Sequence, residues 1–148
     1  MQVSRFLLLP LLVAFMACDS DDTRNTEVPS VVLNSFKIKY PQATDISWQR
    51  SSEGHEVDFE VGKIDHSLLL NDRGEIIQQK QEISLNEVPE KVLSSLRKNF
   101  EQKDLEDPER LLIGTATYYQ LEIDQALLDQ KVVLDENGKM SENIPYWE

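Results

Sequence analysis

One segment of this 148-residue chain occurs twice. Residues 28–40 read VPSVVLNSFKIKY, and residues 88–100 read VPEKVLSSLRKNF. Val28, Pro29, Val32, Leu33 and Ser35 return sixty positions later as Val88, Pro89, Val92, Leu93 and Ser95. Phe36 is replaced by Leu96 and Tyr40 by Phe100. Both copies place apolar residues at i, i+4, i+8 and i+12, the period of an amphipathic helix, with proline where a first turn tolerates it.

Two further signals repeat in the same order. Residues 55–61, HEVDFEV, match TYYQLEI at 117–123, a spacing of 62. In the first copy Val57, Phe59 and Val61 alternate with Glu56, Asp58 and Glu60, which predicts a half-buried antiparallel strand. Tyr119, Leu121 and Ile123 take the core positions in the second. The turn Asn71-Asp72-Arg73-Gly74 matches Asp135-Glu136-Asn137-Gly138 at a spacing of 64. Loop insertions between fixed elements produce that drift, and a helix, a strand and a glycine turn in register are the mark of a duplicated unit.

The predicted unit is α-β-β-β-β. Repeat one spans 28–85, with strands near 46–48, 56–61, 67–70 and 75–83. Repeat two spans 86–144. Its helix is predicted to end near 100–103. Its first strand falls either around Leu105 or at 111–113, and further strands follow at 117–123, 131–134 and 138–144. The fold class is therefore α+β: two tandem repeats building one antiparallel sheet of about eight strands, two helices packed on one face, and a solvated face on the other. Trp48 and Ile46 are expected in the core. Pro145 ends the last strand, and the tail 145–148 either packs or frays.

The first eighteen residues carry an address. Arg5 precedes an apolar run from 6 to 16, too short for the ~20 residues that span a bilayer. Ala17 and then Cys18, the only cysteine, follow. This resembles the lipobox of bacterial lipoproteins, in which the cysteine is lipidated and becomes the first residue. Ala17 fits the pattern, while Phe15 and Met16 are bulkier than usual. An ordinary secretory signal is the alternative. Residues 1–17 thus read as a signal peptide, and 18–27 as a lipidated cysteine with a flexible acidic tether. Asp19, Asp21 and Asp22 resemble signals that send Gram-negative lipoproteins to the outer membrane or cell surface. The expected partner at this end is the membrane, held through acyl chains on Cys18.

Charge excludes one class of partner. The chain has 27 acidic and 15 basic residues, a formal charge of −12, and no basic patch for a phosphate backbone, so no nucleic acid is expected. A single cysteine excludes an intramolecular disulfide and a cysteine metal cluster.

The lipobox-like start, two copies of V-P-x-x-V ending in Tyr40 or Phe100, the alternating strand, the D/N-x-x-G turn and Trp48 together resemble the PepSY-like lipoproteins with a beta-lactamase-inhibitor-like fold. The resemblance covers residues 28–144 and rests on core, turn and cap positions. It implies a curved sheet with both helices on its convex side. It also implies binding or inhibition of envelope proteins through the open face, with no catalytic residue set. Repeat two lacks the tryptophan, with Asp107 near that place.

Candidate chemistry is sparse. Asp65-His66-Ser67 cannot form a triad, because neighbours on a strand point to opposite faces. His55, between Glu53 and Glu56, reads as a surface histidine, since zinc needs three or four converging ligands. The two glycine turns read as hairpins rather than calcium loops. What remains is a candidate binding face: Glu56, Asp58 and Glu60 on one strand, and Tyr118, Gln120 and Glu122 on its repeat. The expected function is a non-enzymatic, lipid-anchored module of the cell envelope, without cofactor or metal, recognising an envelope or extracellular protein or peptide. Two alternatives use the same carboxylates, a cation-binding or buffering lipoprotein and, with less support, a hydrolase.

Overall fold

The computed structural model describes residues 27–148, so the apolar leader, Cys18 and nearly all of the tether lie outside the described residues. The element order is α1 (Ser30–Lys39), β1 (Thr44–Arg50), β2 (His55–Val61), β3 (Ile64–Leu70), β4 (Ile76–Glu82), α2 (Glu90–Leu96), β5 (Leu105–Ile113), β6 (Ala116–Ile123) and β7 (Gln130–Asp135). The seven strands form one antiparallel sheet in chain order. α1 precedes the first four strands, and α2 is inserted between β4 and β5.

The repeat is legible in the detail. Pro29 and Pro89 cap their helices with nearly the same backbone, φ −56 ψ 142 and φ −56 ψ 140. Val32 and Phe36 of α1 bury against Val57, Phe59, Leu68 and Leu70. Val92, Leu93 and Leu96 of α2 bury against Leu121, Ile123, Val132 and Leu134. All these sheet residues lie on one side, so both helices cover the same face. The cores are two clusters side by side rather than one shared core. Between them runs a polar seam: the Lys39 ammonium donates to Gln79, and Arg110 donates to Gln81 at 2.7 Å.

Each glycine hairpin folds back onto its own helix. Gly74 (φ +79) and Gly138 (φ +80) occupy the left-handed region, where glycine alone is unstrained. A Cβ on Gly74 would lie 2.5 Å from Ser35 Oγ, and one on Gly138 would collide with the Lys91 carbonyl oxygen beside Ser95. The recurrence of Ser35 as Ser95 thus has a steric cause, for a larger side chain there would push the hairpin away. The side chains of Asn71 and Asp135 specify the turns identically, each accepting the amides two and four residues on at 2.9–3.0 Å.

Five expectations need correction. α2 ends at Leu96, where Arg97 caps it and a tight turn carries the chain to Phe100, so the second helix is shorter than predicted. The first strand of repeat two spans both predicted positions. It holds a bulge at Asp107 (φ 43) that repeats the bulge at Asp45 (φ 50) in β1. That register puts Arg110, not Asp107, in the place of Trp48, since Trp48 pairs with Val57 and Arg110 with Tyr119. The same bulge breaks the alternation in β1, and Ile46 is half exposed while Trp48 packs against the core. The predicted eighth strand is reduced to one bridge, Leu134 with Met140, after which the chain leaves the sheet.

Candidate functional site

The helix-free face is built from cross-strand rows. One row runs Ser47, Asp58, Ser67, Lys80, Leu111, Tyr118 and Asp135. A second runs Glu56, Leu69, Gln78 and Ile113. A third holds Glu60 with Asp65, and Glu82 with Glu109, Gln120 and Val133. All six candidate residues therefore do share one face. Asp58 and Tyr118 sit on the same row but four strands apart, about 19 Å at the usual interstrand spacing. The face is a broad surface, not a pocket around one reacting centre.

Its two ends differ. At the repeat-one end Asp45, Asp58, Glu60 and Asp65 border an open hollow of about 370 Å³ that reaches Lys80 and Glu109. Ser67 Oγ donates to Asp58 at 2.7 Å. His66 points to the other side, stacked on Phe59 with ring centroids 5.2 Å apart, and burial holds its pKa below the ordinary histidine value. Asp65, His66 and Ser67 are thus split between faces, as strand geometry requires.

The repeat-two end is covered, contrary to the expectation of a solvated sheet. Residues 143–148 cross it beside Leu69, Leu111 and Ile113, the first two more than nine-tenths buried. Gln120, predicted on the wet face, is fully buried and pairs with the main chain of Trp147 in both directions. Trp147 N–H donates to Gln120 Oε1 at 3.1 Å, and Gln120 Nε2 donates to the Trp147 carbonyl at 2.7 Å. Lys80 Nζ also donates to that carbonyl at 3.1 Å. The Trp147 indole N–H donates to Glu56 Oε1 at 2.6 Å, and the Tyr146 hydroxyl donates to Glu122 at 3.3 Å. Lys131 lies over the Tyr146 ring and donates to Glu148 at 2.5 Å.

This covering changes the electrostatics beneath it. Burial pushes the Glu109 carboxyl above the ordinary carboxylate range, against the pull of Lys80 at 3.3 Å and of the Gln120 amide, which also donates to it. Burial and the neighbouring carboxylates, Glu109 foremost, push the Tyr146 hydroxyl well above its usual value. Tyr146 is therefore a protonated donor at all physiological pH.

His55 also departs from expectation. It is buried, not at the surface, because it opens β2 under the turn at 71–74. Its Nε2 lies 3.0 Å from Asp72 and 2.5 Å from Arg50. The Asp72 carboxyl is held below its usual range, chiefly by the hydrogen bond from Arg50. Among the described residues no three His, Cys, Asp or Glu side chains converge as a metal site would require.

The residues that sequence reasoning missed are Lys80, Glu109 and Trp147. A faint signal existed: a buried Trp needs a partner for its N–H, and Tyr146-Trp147 follows a proline that cannot continue the last strand.

No protein-family model matches this sequence, and no curated protein matches it. Solved structures do match in fold. A Bacteroides eggerthii protein, described provisionally as periplasmic, superposes with a TM-score of 0.71 at 16% identity, over 76% of this chain and 85% of that one. A DUF2874 family protein from Bacteroides uniformis gives 0.66 at 17% identity, over 76% and 85%. A BLIP-like protein from Bacteroides fragilis gives 0.65 at 18% identity and covers 86% of this chain and 97% of that one. At these identities the likeness is one of architecture: two helices on one side of a single open antiparallel sheet, the BLIP-like α+β fold.

Proposed function

We propose that this protein is a lipid-anchored, non-enzymatic binding module of the Gram-negative envelope, akin to the PepSY-like lipoproteins, that recognises a protein or peptide through the helix-free face of its sheet. One observation carries the reading. Both helices lie on one side, and the opposite side presents a seven-stranded surface with acids at one end and an aromatic strap at the other. Loops and flat faces of this size suit a macromolecular partner, since small-molecule sites are concave and enclosed. The acidic hollow at the repeat-one end favours a basic loop on the partner, with electrostatic complementarity setting the encounter rate. The provisional periplasmic description of one fold neighbour and the BLIP-like description of another agree with an envelope binding role. Cys18 supplies the anchor in this reading.

Charge reversal tests the face. Replacing Asp58 and Glu60 by lysine leaves the strap's own contacts in place. It should abolish capture of partners from detergent-solubilised envelopes, scored by mass spectrometry against the wild type. Undiminished capture by a folded double variant would remove the reading. The anchor is tested separately, because Cys18→Ala should move the protein from membrane to soluble fractions.

A further inference from the structure

The strap contacts at residues 143–148 are those of a ligand in a groove. Gln120 meets the main chain of residue 147 as a neighbouring strand would, giving one donor and accepting one. Glu56 reads an N–H on an aromatic side chain, 91 positions away in the chain. Lys131 reads a carboxylate and an aromatic ring together. The groove is also not filled. About 370 Å³ remains beside residues 144–147, walled by Leu69, Leu111 and Ile113.

Resting on the binding role assigned to this face, we propose that the groove beneath residues 143–148 is a peptide-recognition groove occupied in the resting protein by the chain's own segment. Its partner is an extended protein segment that carries an aromatic N–H donor followed by a carboxylate. The recognition elements divide the labour. Gln120 and Lys80 select for extended backbone, Glu56 for the indole, and Lys131 for the acid. The unfilled space beside residues 144–147, bordered by the partly exposed Ile113 and by Gln78 and Glu53, gives a partner segment contacts that the strap lacks, which is what displacement requires. Because the strap is tethered, it competes at an effective concentration on the order of millimolar, and a partner's apparent affinity falls by the fraction of molecules in which the groove is closed. The strap thereby sets a threshold that weak, non-cognate segments do not pass.

The test uses the full chain and a defined probe, the acetylated hexapeptide NIPYWE, followed by calorimetry. Against Tyr146→Ala/Trp147→Ala, in which the strap loses its side-chain holds, the peptide is expected to bind at least ~10-fold more tightly than against the wild type. The same peptide with alanine for tryptophan should lose that binding, as should the intact peptide against a triple variant that adds Glu56→Ala. If the double variant melts without a native transition, Trp147→Ala alone serves, with the same ordering expected. Absence of peptide binding to a natively folded variant, or equal binding to wild type and variant, would overturn the proposal. The outcome is separable from the binding role itself. Peptide binding without any envelope partner leaves the groove standing and the role unsupported. Partner capture that is blind to the strap, with no peptide binding, does the reverse.

Discussion

The last elements of the two repeats begin alike and end differently. In repeat one the hairpin at 71–74 packs on α1 and delivers β4, which pairs with β3 on one side and β5 on the other. In repeat two the hairpin at 135–138 packs on α2 in the same way, and the chain makes one bridge through Met140. Among the described residues no further strand lies beside β7. Ser141 bonds back to Val133, Pro145 withholds a ladder donor, and the chain turns across the open face. The same starting geometry thus yields an inner strand in one copy and a strap in the other. The lesson is that the neighbour available at the sheet edge and the local sequence together decide what the last element of a duplicated unit becomes.

The cores differ in a related way. Repeat one is held by aromatic contacts, with Phe36 edge-on to Trp48 and Phe59 at 5.4 and 5.0 Å between centroids. Repeat two uses mainly aliphatic residues, with Tyr119 the one aromatic among the buried members of its cluster. The β4–β5 ladder and the seam of Gln79, Gln81 and Arg110 join them.

Substitutions in the two cores should have the largest effects. Phe36→Ala and Leu121→Ala should each cost about 3–5 kcal/mol, read by urea denaturation, and each should leave a single transition because the two halves share one continuous sheet. Two separated transitions would show the halves to be independent. Next come the hairpins. Gly74→Ala and Gly138→Ala should each cost about 2–3 kcal/mol, since both force a left-handed φ and a clash with the helix, and near-equal losses would sharpen the equivalence of the two turns. A smaller loss is expected in the strap. Trp147→Ala should cost about 1–2 kcal/mol by removing the indole hydrogen bond to Glu56 and the ring's packing on the face, with faster amide exchange confined to β5–β7. The smallest effect concerns Glu109. Its folded pKa is raised, so the fold favours the protonated form, and its ionisation lowers stability as pH rises through that interval. Glu109→Gln should therefore raise the melting temperature slightly at neutral pH, and the gain over wild type should shrink on acidification.

Much of this was readable beforehand for a physical reason. Helix period, strand alternation and glycine turns are local, and a duplicated unit states each of them twice. The six face residues were placed by alternation alone, and they do share a face. Tertiary effects escaped. The bulges at Asp45 and Asp107 shift register within a strand, which takes Ile46 out of the core and gives Arg110 the place in repeat two that Trp48 has in repeat one. Burial of His55 depends on a hairpin seventeen residues away, and burial of Gln120 on a segment 27 residues away. No periodicity within β2 or β6 records either contact.

In the function proposed above, a partner docks on the sheet face opposite the helices. A photo-crosslinking residue at Glu60, in the acidic hollow, or at Lys37, on the exposed side of α1, tests it in the intact envelope. A discrete crosslinked species is expected from position 60 and none from position 37. A partner trapped from position 37, with position 60 silent, would contradict it.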